Sequence, residues 1–115
     1  MAQMILNIRP AMDSRRDALT LSRRGVVSAC LPVMEIVSMV PQLPIPQEIA
    51  GLVFTSRHAV SAFVNAIDTA DWWIIPVFVV GQATGAAARE AGFVSIFTGS
   101  GGGAGLVPAI LQLSL

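Results

Sequence analysis

Two turns of the chain carry the residue types best suited to holding a ligand. Thr55-Ser56-Arg57 follows one short apolar run, and Gly81-Gln82-Ala83-Thr84 follows another. If a helix begins in each turn, backbone N–H groups, a hydroxyl group and the positive end of the helix dipole face the same ligand, which favours an anion. The pattern therefore predicts anion recognition. The alternative is that Ser56 and Thr84 only cap their helices, and capping does not exclude ligand contact.

Residues for other kinds of chemistry are sparse. The chain has one histidine, one cysteine and no cluster of carboxylates. This set offers no ligands for a metal, and we expect no cofactor. No nucleophile can be paired with a base, and no pair of carboxylates stands out, so the catalytic residues stay unassigned. His58 is expected on the surface of a helix. Cys30 lies between Ala29 and Leu31 and is expected to be a packed thiol of the core.

A glycine-rich loop, residues 99–105, follows a further apolar run and allows two interpretations. Its sequence matches the G-x-G-x-x-A form of the dinucleotide-binding fingerprint, and it lies between a predicted strand and a predicted helix. The fingerprint belongs to the first unit of a fold, however, and this loop lies in the last. A flexible surface loop is the first interpretation. A nucleotide-binding or regulatory α/β module that uses loop 99–105 is the alternative.

Composition limits the classes of protein. Of the 115 residues, 54% are hydrophobic and 12% are charged, against a usual charged share of about a quarter. We therefore expect part of the apolar surface to face polypeptide that this sequence does not contain; a compact α/β core with buried strands is the alternative. The net charge is zero and all seven basic residues are arginines, which argues against nucleic-acid binding and suits carboxylate partners. No signal peptide or membrane-spanning run is evident, so we expect a cytoplasmic protein without membrane contact.

The first part of the chain is predicted to be a β-α-β unit. A strand over residues 4–8 leads to a helix whose start is predicted at Ser14, because Ser14 and Asp17 have the spacing of a capping box. Gly25 ends the helix. A second strand over residues 26–31 then returns parallel to the first.

The rest of the chain is predicted to repeat the strand-turn-helix pattern. Three prolines between residues 41 and 46 indicate a stiff connector and a domain boundary. The later strands are predicted at residues 52–54, 77–80 and 93–97. Their turns then lie on one side of the sheet. The predicted fold class is α/β, with a parallel sheet flanked by helices, flavodoxin-like repeats and an incomplete two-domain arrangement.

Three motifs of the chain occur in a recognisable order. They are Ile5-Leu6-Asn7-Ile8-Arg9-Pro10, then Gly51-Leu52-Val53-Phe54-Thr55-Ser56 followed by Ala59-Val60, then Pro76-Val77-Phe78-Val79-Val80-Gly81-Gln82-Ala83-Thr84 with Ala91-Gly92-Phe93. Their order and spacing resemble those of the uroporphyrinogen-III synthase family over nearly the whole chain.

The resemblance implies two α/β domains that bind the linear tetrapyrrole hydroxymethylbilane between them. Members of the family remove the hydroxyl group of this small molecule as water, invert its last pyrrole ring and close the macrocycle, without metal or cofactor. By this likeness, residues 1–33 are the opening unit of a split first domain. Residues 34–50 are an extended proline-rich connector, and residues 51–115 are most of the second domain.

The same likeness assigns the substrate-binding residues. They are Arg9, Thr55, Ser56, Arg57, Gly81 and Thr84. The tyrosine that is usually proposed as proton donor in the family lies beyond the end of this chain, which contains no tyrosine. We therefore expect a truncated member with little or no cyclase activity alone. The resemblance implies a monomeric full-length form, whereas we expect the shorter chain to self-associate.

Overall fold

The structure, a computed structural model, describes residues 3–37, 39, 42–67 and 70–113. The chain forms two compact units, Met1–Val37 and Ser38–Leu115. Every strand pairing in the described residues is parallel, and helices connect the paired strands. The predicted α/β fold class is confirmed. Among the described residues, no helix is long and apolar enough to cross a membrane.

The first unit is the predicted β-α-β unit. Strand β1 (Ile5–Asn7) pairs with strand β2 (Ser28–Cys30), and helix α1 (Ala11–Arg23) connects them. The predicted capping box at Ser14 is wrong, because the helix begins directly after Pro10, whose fixed φ suits a helix start. Ser14 lies inside the first turn instead. Its side chain is buried.

The first unit lacks an apolar core among its described residues. Among the residues of this unit that the structure describes, the buried side chains are the polar ones of Asp13 and Ser14. Cys30 is exposed, so the prediction of a packed core thiol is wrong. The prediction was based on the apolar neighbours Ala29 and Leu31, but a run of apolar residues is buried only where a second layer covers it.

The second unit contains a three-stranded sheet in the order β3-β4-β5. Its strands are β3 (Leu52–Phe54), β4 (Val77–Val80) and β5 (Ile96–Gly99), and its helices are α2 (Arg57–Ala66), α3 (Gln82–Ala91) and α4 (Val107–Leu111). Short 3₁₀ turns lie at Pro46–Glu48, Ala70–Ile74 and Gly103–Leu106. Two of the three strand predictions are confirmed. The third strand begins later than predicted, because Phe93 packs into the core from the loop that precedes β5.

Helices α2 and α3 cover one face of this sheet. The core between these layers consists of Phe54, Val60, Val77, Val79, Ala88 and Phe93. Burying each of its larger apolar side chains stabilises the unit by roughly 1.5–3 kcal/mol. Trp72 packs edge-on against Phe63 of α2 with ring centroids 5.2 Å apart.

Helix α3 packs on the sheet through part of its alanine-rich sequence. Ala88 lies in the core and Ala87 and Ala91 pack against it, whereas Ala83 and Ala86 are exposed. The buried residues of α3 are Thr84, Gly85 and Ala88. This places Thr84 on the core side of the helix, one turn before Ala88. Gly92 ends the helix with a positive φ.

Candidate functional site

Parallel pairing brings the ends of three strands to one edge of the second sheet, here called the carboxyl edge. The end of β3 is aligned with Val79 of β4, and Val79 is aligned with Thr98 of β5. Neighbouring strands lie about 4.8 Å apart. Ser56, Gly81 and Ser100 follow within two residues of the ends of these three strands. The prediction that the turns share one side of the sheet is therefore confirmed.

Ser56 caps α2 and still has a hydrogen-bond donor. Its Oγ accepts a bond from the N–H of His58 at 3.1 Å, which confirms the predicted N-cap. A serine hydroxyl accepts with its lone pairs and keeps its own proton to donate. Ser56 is half-buried and Thr55 beside it is exposed. Both residues of this turn therefore lie at the surface of the carboxyl edge.

Gly81 opens α3 without a side-chain cap. Its backbone has φ 87° and ψ 151°, a conformation that strains any residue with a side chain. The first bond of the helix runs from the N–H of Gly85 to the carbonyl of Gly81, at 3.2 Å. The N–H groups of Gln82, Ala83 and Thr84 precede this bond and have no acceptor within the helix. They are donors available at the carboxyl edge.

Thr84 is the third residue of α3 and not its cap, so the capping alternative is wrong for this residue. Its side chain is only 5% exposed, and its hydroxyl makes no hydrogen bond in the described structure. In the described part of the chain, the buried side-chain polar atom that lacks both solvent contact and a hydrogen-bond partner is Nε1 of Trp72. The Thr84 hydroxyl is not such an atom, and since it makes no hydrogen bond it must contact solvent. Its expected contact with substrate stays a prediction.

Charges divide between the two ends of this sheet. Arg57 and His58 lie in the first turn of α2, and neither α2 nor α3 has an acidic residue in its first turn. The described acidic residues of the second unit, which are Glu48, Asp71 and Glu90, lie at the opposite end of the sheet, together with the basic residue Arg89 in the last turn of α3. The Arg57 guanidinium at the amino end of α2 adds to the positive end of the helix dipole. Neither first turn supplies a carboxylate that would repel an anion at the carboxyl edge.

Arg9 lies in the first unit and is bound within it. Its Nη1 donates to Oδ2 of Asp17 at 2.8 Å, and its Nη2 lies 3.6 Å from Oδ1 of Asp13. Asn7 Nδ2 donates to the same Asp17 oxygen at 2.9 Å. The bond from Asn7, and then the bond from Arg9, lower the pKa of Asp17. A substrate carboxylate at Arg9 would compete with Asp17, and the expected role of Arg9 in binding stays a prediction.

The glycine loop closes into a compact turn. The N–H of Gly105 donates to the carbonyl of Gly102 at 3.0 Å. A Cβ atom on Gly105 would overlap the carbonyl oxygen of Ser100. A 3₁₀ turn over Gly103–Leu106 opens from the glycines and continues into α4, which begins at Val107 and has five residues. The nucleotide-binding alternative stays a prediction.

Sequence reasoning missed Thr98 as a candidate for the carboxyl edge. Its side chain is exposed at the end of β5. A Cβ atom on Gly85 of α3 would lie 3.5 Å from the Thr98 Oγ1, so this hydroxyl lies beside the first turns of α3. The signal was present, because Thr98 ends an apolar run just as Thr55 does. In the described residues, no three His, Cys, Asp or Glu side chains gather into a metal site.

Comparison with known proteins identifies the family. A search of curated proteins finds no match to this chain. A family model described as uroporphyrinogen-III synthase HemD matches residues 16–114, most of the chain. The match includes the whole carboxyl edge but not Arg9. Because this match covers most of the chain, and the three parallel strands with their turns at one edge agree with it, the chain belongs to the uroporphyrinogen-III synthase family.

Proposed function

We propose that the carboxyl edge of this chain holds carboxylate groups of hydroxymethylbilane in the reaction of a uroporphyrinogen-III synthase, with little or no cyclase activity expected of the chain alone. The proposed reaction removes the hydroxyl group of this linear tetrapyrrole as water, inverts the last pyrrole ring and closes the macrocycle. Membership of the family supports the class of enzyme, a lyase of porphyrin biosynthesis. The proposal assigns no step to a metal or a cofactor.

The observation that carries the proposal is the separation of charge across the second sheet. Arg57, His58 and the amino ends of α2 and α3 lie at the carboxyl edge, while the described acidic residues of this unit lie at the other end. A carboxylate at the carboxyl edge meets donors and positive dipole ends, with no like charge in either first turn. Such an edge suits a ligand that carries several carboxylates.

The residues of the edge act by binding and positioning. The N–H groups of Gln82 and Ala83 and the hydroxyl of Ser56 are donors on neighbouring strand-to-helix turns. Arg57 adds a planar guanidinium that can bind a carboxylate through two N–H groups. Donors at several fixed points hold a flexible linear substrate in one geometry, which lowers the barrier to ring closure by reducing the entropy that must be lost.

Charge substitution at Ser56 tests the proposal. Asp and Asn both cap helices well, so Ser56→Asp and Ser56→Asn retain the cap and differ mainly in charge. The probe is uroporphyrin III, an oxidised and stable polycarboxylate, titrated by isothermal calorimetry. We expect Ser56→Asp to weaken binding by about 5-fold or more, because like charges a few ångströms apart repel by at least ~1 kcal/mol. Ser56→Asn should remain within about 3-fold of the unchanged chain.

The control for this experiment is a charge change at the opposite end of the sheet. Glu48→Gln removes an acidic residue before β3 and should leave affinity unchanged if binding is local. If Ser56→Asp and Ser56→Asn bind uroporphyrin III with equal affinity, the carboxyl edge is not the binding site. Conversion of hydroxymethylbilane, measured on the unchanged chain, tests activity separately from binding. Binding without conversion would support the site and agree with the expected lack of cyclase activity, whereas normal conversion would refute that expectation.

A further inference from the structure

Thr98 ends β5 with its side chain on the face of the sheet that α3 covers. It is aligned with Val79 of β4, and residues in register on neighbouring strands point to the same face. Val79 lies in the core beneath the helices, so the Thr98 side chain points towards the helices. The position of Gly85 in α3 agrees with this, because a Cβ atom there would lie 3.5 Å from both Thr98 Oγ1 and Val79 Cγ2.

The Thr98 hydroxyl lies beside the first turn of α3. Gly85 is the fourth residue of this helix, about 4.5 Å along the axis from Gln82. Each Cα–Cβ bond of a helix is tilted towards the amino end, so an atom that contacts the Cβ position of Gly85 lies close to the preceding residues. The N–H groups of Gln82, Ala83 and Thr84, which have no acceptor within the helix, belong to the same turn.

This hydroxyl is available to a ligand. Thr98 is exposed, although Val79, its partner in register, is buried. The residue of α3 next to the hydroxyl is Gly85, which has no side chain to cover it. Thr98 Oγ1 makes no hydrogen bond in the described structure. It therefore has one proton to donate and two lone pairs.

A second hydroxyl without a hydrogen bond belongs to the same turn of α3. Thr84 is 5% exposed, and its Oγ1 also makes no hydrogen bond in the described structure. A residue buried to this extent normally has its polar atoms hydrogen-bonded, and a ligand at this turn would supply the partner. An ionised carboxylate only accepts hydrogen bonds, at about four lone-pair positions. One carboxylate therefore has enough positions for helix N–H groups and for hydroxyl donors.

We propose that Thr98 is a further substrate-binding residue, whose hydroxyl donates to the substrate carboxylate held by the first turn of α3. This inference rests on the proposed function and extends the site to the third strand of the sheet. N–H groups that point along one helix axis leave a carboxylate free to turn about that axis. A donor on the neighbouring strand removes this freedom, so Thr98 orients the group as well as binding it.

The test is isothermal calorimetry of the complete chain with uroporphyrin III. Thr98→Val removes the hydroxyl and keeps the branched shape, whereas Thr98→Ser keeps the hydroxyl. We expect Thr98→Val to weaken binding by about 3- to 10-fold and Thr98→Ser to remain within about 2-fold of the unchanged chain. Thr20→Val is the control, because it removes an exposed hydroxyl from α1 and should leave the affinity unchanged.

A labelling experiment locates the ligand without the valine variant. Cys30 is the single cysteine of the chain and is exposed, so it is replaced by serine. Thr98→Cys then places one thiol at the end of β5, and Thr20→Cys places it on α1. With uroporphyrin III at about ten times the dissociation constant of each variant, maleimide labelling at residue 98 should slow about 10-fold. Labelling at residue 20 should not slow.

Several outcomes would contradict the inference. One is a Thr98→Val variant that binds as tightly as the unchanged chain, and another is labelling at residue 98 that the ligand does not slow. Equal weakening by Thr98→Val and Thr98→Ser would mean that the hydroxyl is not the cause. The Ser56 variants separate these failures from a failure of the proposed function. If Ser56→Asp binds more weakly than Ser56→Asn while Thr98→Val has no effect, the carboxyl edge remains the site without Thr98. If the unchanged chain does not bind uroporphyrin III, both proposals are wrong.

Discussion

At the scale of single residues, Thr84 allows ligand binding to be separated from stability. Its side chain is buried but its hydroxyl makes no hydrogen bond in the described structure. Thr84→Val keeps the shape and removes only the hydroxyl, so we expect the free energy of unfolding to change by less than about 0.5 kcal/mol. If the hydroxyl contacts a substrate carboxylate, affinity for uroporphyrin III should fall by about 3- to 10-fold.

Ser56→Ala is the comparison for this prediction. It removes a cap whose bond to His58 is seen in the structure, and it should cost about 1 kcal/mol of stability. Denaturant unfolding measures both variants. A loss above about 1 kcal/mol for Thr84→Val would mean that the hydroxyl is hydrogen-bonded, and unchanged affinity would remove Thr84 from the candidate site.

At the scale of elements, Asp17 connects the end of β1 to α1. Its carboxylate accepts bonds from Asn7 and Arg9, which lower its pKa in the folded state. A lowered pKa contributes stability above the unfolded-state value, near 3.9, and this contribution is lost as pH falls through the folded-state value. We expect the hydrogen-exchange protection factors of α1, which are rates relative to those of an unstructured chain at the same pH, to fall as the solution is acidified below about pH 4.

Two variants check the origin of this pH dependence. Asp17→Asn removes the titrating group and should flatten the response of α1. Asn7→Ala removes the donor with the largest effect on Asp17, so the pKa of Asp17, measured by NMR, should rise towards its ordinary value. If the pKa of Asp17 is unchanged in Asn7→Ala, the hydrogen bond from Asn7 is not what lowers it.

The glycine loop provides a second prediction at this scale. Gly105→Ala would place a Cβ atom on the carbonyl oxygen of Ser100, and backbone cannot move away as a flexible side chain can. We expect a loss of about 1–3 kcal/mol. Gly103→Ala is the matched control, because a Cβ atom there meets no atom within 4 Å. Denaturant unfolding compares the two; equal stabilities would mean that the loop does not close as described.

At the scale of the whole molecule, two kinds of feature could be predicted from the sequence. The strands over 52–54 and 77–80 and the cap at Ser56 were correct, because both depend on a few consecutive residues and their flanking turns. The parallel direction of the strands could also be predicted, because each helix connects the end of one strand to the start of the next. The division into residues 1–33, 34–50 and 51–115 and the roles of the six site residues stay predictions.

The sequence by itself determined the family, the parallel α/β class and the shared edge of the turns, because these follow from motif order and local periodicity. Only the tertiary structure decided that Thr84 faces the core, that Ala83 faces solvent and that Cys30 is exposed. It also showed that Asp17 binds Arg9. These outcomes depend on which layers cover a strand or helix, and that covering involves residues far apart in the chain.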